Sequence, residues 1–134
     1  MNFSQIQIKN IFNITDKIFR EQPEVLAEHI MQVYYESDIF TAINYGCRYP
    51  LGLIDTQLKP LNLTAEQHEF VSRTFQDFIH QTLLNNKTRL LQILTRENRM
   101  SRNTLNSLAQ FISNIMPDKD KDFLIYFSKK AELL

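Results

Sequence analysis

The sequence predicts an all-α protein: a compact, single-domain bundle of five to seven helices packed around one long central helix at about 64–84. Three observations carry this. Structure breakers are scarce, with only two glycines (Gly46, Gly52) and four prolines (Pro23, Pro50, Pro60, Pro117) in 134 residues, too few for a turn-rich β sandwich or barrel. Helix starts are signalled twice by a hydroxyl residue followed three positions later by glutamine, Ser4 with Gln7 and Thr64 with Gln67. In such capping boxes the two side chains satisfy two orphan backbone N–H groups reciprocally. Apolar residues then recur at spacings of three and four over most of the chain, which is the helical period.

The central helix is the best signalled. Glu66 and Glu69 fall near its first turn, where negative charge suits the helix dipole. Phe70, Val71, Phe75, Phe78, Ile79 and Leu83 form one stripe, with Ser72, Arg73, Gln76, Asp77 and Gln81 opposite. Each stripe phenylalanine contributes roughly 1.5–3 kcal/mol if fully buried, so this face must pack within the chain or on a partner.

In chain order, a first helix is expected from Gln5 to about Arg20, with Ile8, Ile11, Phe12, Ile18 and Phe19 inward and Phe3 and Ile8 at the positions of a hydrophobic staple. A short strand at the alternating Gln5–Lys9 is the competing reading, and Thr15 is a place for a break. Pro23 suits the first turn of a second helix, 24–36, where its missing N–H costs nothing. Leu26, Ile30, Val33 and Tyr34 share its inner face. Ser37 or Asp38 caps a short third helix holding Ile39, Phe40 and Ile43, which Gly46 ends. From Cys47 to Asn62 two prolines and a glycine interrupt the pattern, and a long ordered connection pinned by Tyr49, Leu51, Leu53 and Ile54 is expected, with one helical turn near 55–58. Asn85-Asn86 mark a break after the central helix. Leu90, Leu91 and Leu94 form a short helix, and Ser101 caps the next, in which Leu105, Leu108, Ala109, Ile112, Ile115 and Met116 keep helical spacing until Pro117. Asp118 to Asp122 is expected to be a charged turn. FLIYF at 123–127 suits a buried helix or a strand, and helix is preferred because no strand partner is evident.

Bulk properties bound the function. The apolar fraction, 43 %, is that of an ordinary globular protein, and a net charge of zero gives the whole molecule no attraction for nucleic acid or an anionic membrane. A single cysteine, Cys47, excludes an intrachain disulfide framework and a cysteine-based zinc cluster. Two glycines cannot make a glycine-rich phosphate loop. The start, MNFSQIQIKN, lacks the basic-then-apolar order of a secretion signal, and no apolar run reaches the length of a membrane span, so a cytoplasmic protein without membrane association is expected.

Few residues suggest chemistry. Asp77 and His80 are spaced D-x-x-H, half of a carboxylate-bridged metal site, but a second such pair is missing and surface or capping roles are preferred. Glu28-His29 lacks the second histidine of a zinc-protease helix. Cys47 beside Arg48 has the neighbour of an activated thiol, with no flanking signature to support one. No metal or cofactor is expected.

Charge is uneven although it sums to zero. Glu21, Glu24, Glu28, Glu36 and Asp38 make the second helix acidic. Lys87, Arg89, Arg96, Arg99 and Arg102 make 87–102 basic, opposed only by Glu97. These are read either as steering patches for a charged partner or as solvated faces that pair with each other. Residues 87–112 also follow the outline of a helix-turn-helix. Ser101, Arg102, Asn103 and Thr104 would be the first turn of the recognition helix, while Leu105, Leu108 and Ile112 hold it to the core. The turn lacks glycine, and a plain helical hairpin is preferred. Tyr34, Tyr35, Tyr45, Arg48 and Tyr49 cluster around the expected loop and are of the types enriched in protein-binding hot spots.

The stretch LNLTAEQHEFVSRTF is similar to a late helix of truncated globins over its 15 residues, mostly in capping and apolar spacing. Leu58 stands where that alignment would place the proximal histidine, and the family is not assigned.

Three functional expectations result. The leading one is a small cytoplasmic non-catalytic protein that binds another protein as an adaptor, inhibitor, immunity factor or regulator, using Tyr34, Tyr35, Tyr45, Arg48 and Tyr49. The second is a DNA-binding regulator using Lys87, Arg89, Arg96, Arg99 and Arg102. The third is a small apolar-ligand or haem-binding helical protein. A homodimer through the phenylalanine stripe is a further expectation.

Overall fold

The computed structural model describes residues 2–116 and 119–132. These form seven α-helices and no strand: α1 (Gln5–Glu21), α2 (Pro23–Glu36), α3 (Ile39–Leu58), α4 (Ala65–Asn85), α5 (Lys87–Arg96), α6 (Arg102–Ile115) and α7 (Lys119–Lys130), with a 3-10 turn at Lys59–Leu61. The all-α bundle is as expected.

Both capping boxes form. The Ser4 hydroxyl accepts from the Gln7 N–H at 3.0 Å while the Gln7 side chain accepts from the Ser4 N–H at 2.9 Å, and Thr64 and Gln67 repeat the pattern at 3.0 Å each way. Asp38 caps α3 and Ser101 caps α6. There is no break at Thr15, whose hydroxyl donates back to the Phe12 carbonyl inside a continuous α1.

The connection expected from Cys47 onward is instead helix as far as Leu58. Ile43, Cys47, Pro50, Ile54 and Leu58 are all buried, at spacings of four, three, four and four, so the segment does keep helical time once Pro50 is counted as an apolar position. A proline inside a helix costs about 3 kcal/mol. Burying Ile43, Ile54 and Leu58 contributes roughly 1.5–3 kcal/mol each, and the burial wins. Gly46 does not end a helix. It lies in mid-α3 where α2 crosses, and a Cβ there would stand 2.9 Å from Ile30 Cγ1. The chain leaves α3 through the 3-10 turn and then Asn62, which takes a left-handed conformation with φ 55°.

Two packing regions share α3. On one side, phenylalanines of α1 (Phe12, Phe19), α4 (Phe70, Phe75, Phe78) and α7 (Phe123, Phe127) meet Phe3 in a ring network with centroids 5.3–6.5 Å apart. The stripe of the central helix is thus covered within the chain. On the other side α2 packs against α3 and α6, and α5 against α6, through aliphatic residues including Leu26, Ile30, Leu90, Leu94, Leu108 and Ile112. The last segment is helix, with Phe123 and Phe127 inward and Leu124 and Ile125 exposed. Charged residues from Lys119 to Asp122 begin α7 rather than making a turn, and Pro117 and Asp118 lie outside the described residues. No helix is long and apolar enough to cross a membrane among the described residues.

Candidate functional site

The basic segment forms a helical hairpin. The chain leaves α5 through Glu97 and then Asn98, whose left-handed backbone (φ 54°) supplies the reversal for which the sequence offered no glycine. Ser101 then caps α6 by accepting from the Thr104 N–H at 3.1 Å. The corner is held by Glu97, which accepts from the Ser101 hydroxyl and, at 3.3 Å, from the Thr104 hydroxyl. These contacts, Ser101 first, hold the Glu97 carboxyl below the usual carboxylate range.

Arg89, Arg96, Arg99 and Arg102 are exposed on this hairpin, and among the described residues none forms an ion pair. Arg89 stacks over Phe111 at 6.0 Å and donates to Gln92 at 3.2 Å, and Lys87 sits 4.8 Å above the exposed ring of Phe40. Two adjoining clefts of about 360 and 280 Å³ run between α5 and α6 and share Ile93, Arg96 and Ser107. Across from the arginines, Asn103, Asn106, Gln110 and Asn114 line them from α6. The acidic residues of α2, Glu24, Glu28 and Glu36, are also exposed, and no ion pair joins them to the basic hairpin among the described residues. The two charged faces do not neutralise each other.

The five aromatic and basic residues expected to form one patch separate into pairs. Tyr35 is tied down: its hydroxyl donates to the Leu94 carbonyl at 2.5 Å, and burial, first among the causes, raises its pKa. Tyr34 packs edge-on against it at 5.1 Å, and both line a cleft of about 440 Å³ with Leu91 and Asn98 at the α5–α6 corner. Tyr45 and Arg48 stack on each other at 4.9 Å on α3, and Tyr49 stacks on His29 of α2 at 4.8 Å. None of these ring contacts links Tyr34 or Tyr35 to the α3 residues.

No protein-family model matches the chain, and no curated protein or solved structure matches it.

Continuing α3 through Leu58 also places Asp55, which the sequence predicts only in a single helical turn of the connection. Asp55 meets α4: its Oδ1 accepts from the Ser72 hydroxyl at 2.5 Å and lies 3.1 Å from His68 Nε2. The three residues line an open cleft of about 510 Å³. Their order matters. The serine proton is directed at the carboxylate and not at the histidine, so the group ties two helices together and lacks the nucleophile–base pair of acyl-transfer sites. The signal available beforehand was the i, i+4 pair His68 and Ser72 on a helix face, which gained meaning only with Asp55 opposite.

Cys47, Arg48, Asp77 and His80 line one cleft of about 280 Å³ between α3 and α4, so the thiol and the D-x-x-H pair come together. The thiol is nonetheless fully buried. Burial, with a smaller effect from the Asp77 carboxylate, pushes its pKa up to about 12. An activated cysteine requires the opposite shift. No cluster of three or more His, Cys, Asp or Glu is placed to hold a metal ion among the described residues. Leu58, at the position of the globin histidine, is packed in the core.

Proposed function

We propose that this chain is a small cytoplasmic non-catalytic protein that binds another protein, of the adaptor, inhibitor, immunity-factor or regulator kind, and that its binding face is the α5–α6 hairpin. The observation that carries this is the set of exposed arginines on the hairpin, Arg89, Arg96, Arg99 and Arg102, none in an ion pair among the described residues, of which Arg89 and Arg96 border a cleft with an apolar floor at Ile93. Arginine is the residue of choice for pairing with carboxylates at interfaces, because its planar fork offers bidentate hydrogen bonds. The Tyr34–Tyr35 pair adjoins this face at the α5–α6 corner and adds aromatic surface of the kind that anchors interfaces. The test is capture of a partner from lysate of the protein's own source, with wild type and the Arg96→Glu, Arg102→Glu double variant side by side. One dominant protein retained at moderate salt by the wild type and lost by the folded variant supports the reading. Retention unaffected by the variant moves the interface elsewhere.

A second reading, DNA binding, is favoured by one observation. The first turn of α6 exposes Arg102 and Asn103 while Leu108 and Ile112 are buried beneath it, as a recognition helix requires. Its signature is duplex retention that falls steeply as salt rises and disappears with Arg99→Ala and Arg102→Ala.

A further inference from the structure

The exposed charges of α2 and of α5 are opposite in sign. On α2, Glu24, Glu28, Gln32 and Glu36 are all exposed and recur every four residues, so they form one outward stripe along the helix while Leu26 and Ile30 face inward. On α5, Arg89 and Arg96 are seven residues apart on one side of the helix and border the clefts against α6. At 1.5 Å per residue these arginines are about 10.5 Å apart along their axis, and Glu28 and Glu36 about 12 Å, a mismatch well within side-chain reach. The stripe and the arginines sit on different elements of the bundle and form no ion pair with each other among the described residues. The chain as a whole is neutral, with 15 basic and 15 acidic residues, so net charge does not oppose the approach of a second copy.

We infer that the α5–α6 cleft receives the acidic α2 stripe of a second copy of this chain. This rests on the reading of the hairpin as a protein-binding face and supplies that face with an occupant of known sequence. Each copy carries both halves, so the contact is reciprocal and a two-fold dimer closes. In the two-fold arrangement of this contact the helices run antiparallel, and Glu28 and Glu36 of each copy face Arg96 and Arg89 of the other, respectively. Exposed ion pairs are individually weak and screened by salt, so the dimer forms at low ionic strength and dissociates at high ionic strength.

Sedimentation velocity of the purified full chain tests this over a concentration series at about 0.02 M and about 0.5 M salt, where the screening length falls from roughly 20 Å to under 5 Å. A concentration-dependent dimer at low salt that becomes monomer at high salt is expected. Arg96→Glu alone and Glu28→Arg alone should each weaken dimerisation about tenfold or more, because each puts two like-charge contacts into the closed interface. An equimolar mixture of the two variants should restore it, because both contacts are again opposite in sign. That rescue also shows that the variants are folded. A monomer under all conditions overturns the inference while leaving the capture experiment above to judge binding of a different protein. A dimer indifferent to salt and to both reversals overturns it as well, placing the contact on another surface. Binding of duplex DNA by a monomeric wild type, abolished by Arg96→Glu, overturns it in favour of nucleic acid.

Discussion

The hydroxyl of Tyr35 donates to the backbone carbonyl of Leu94 at 2.5 Å, joining the last turn of α2 to the last turn of α5. That carbonyl is one of the four that a helix end leaves without an internal partner. Tyr35→Phe keeps the ring and removes only the donor. It should cost about 1–2 kcal/mol, the usual penalty for orphaning a partly buried acceptor, and lower the urea midpoint at unchanged slope. A midpoint equal to wild type would mean that water replaces the hydroxyl.

The two glycines of α3 should respond to alanine with opposite signs. At Gly46 the new Cβ would stand 2.9 Å from Ile30 Cγ1 and 3.4 Å from Leu26 Cδ1. Overpacking of this kind costs about 1–3 kcal/mol, more than the roughly 1 kcal/mol that alanine gains in helix propensity, so Gly46→Ala should destabilise. At Gly52 nothing lies within 4 Å, and Gly52→Ala should stabilise by roughly 0.5–1 kcal/mol. Denaturant melts of the two variants check both signs at once.

Cys47 should be inert in the native protein. It is 1 % exposed, and burial pushes its pKa up to about 12. A thiol-reactive chromogenic disulfide at pH 8 should label it only after denaturant is added. Because the folded pKa lies above the unfolded one, the thiol's contribution to stability is fully present below the ordinary thiol range and is lost as pH rises through about 12. Rapid native labelling would show that the α3–α4 cleft opens to its floor.

Within FLIYF, neighbours should differ sharply. Phe123 is fully buried and touches the rings of Phe12, Phe19, Phe75, Phe78 and Phe127. Phe123→Ala should therefore cost about 3–5 kcal/mol. Leu124 is 44 % exposed, and Leu124→Lys should stay within about 0.5 kcal/mol of wild type. Thermal unfolding of the pair distinguishes this register of α7 from one turned by a residue.

Much of the fold was legible because its signals are local. Ser4, Thr64 and Ser101 announce helix starts through hydrogen bonds to residues three positions away, and all three do so in the structure. The failure was equally local. Pro50, Gly46 and Gly52 are breakers by intrinsic preference, yet they lie inside one 20-residue helix, because burial of Ile43, Ile54 and Leu58 outweighs the backbone cost. For the candidate site, the uneven charge was visible in the sequence, whereas its state was not. Whether Glu24, Glu28 and Glu36 pair with Arg89 and Arg96 depends on distances between elements far apart in the chain.

Local signals in the chain establish that this protein is helical, where most of its helices begin, and that acid and base are segregated along it. Helical period, capping and composition act over a few residues, and a single chain contains them. Tertiary structure alone decided that α3 runs unbroken to Leu58, that Asp55 answers Ser72 and His68 across two helices, that Tyr35 is held by Leu94, and that the acidic and basic faces remain apart. Those outcomes turn on which helix faces meet. Packing of the whole core settles that, at a cost or gain of a few kcal/mol per buried side chain, and no local preference is large enough to oppose it.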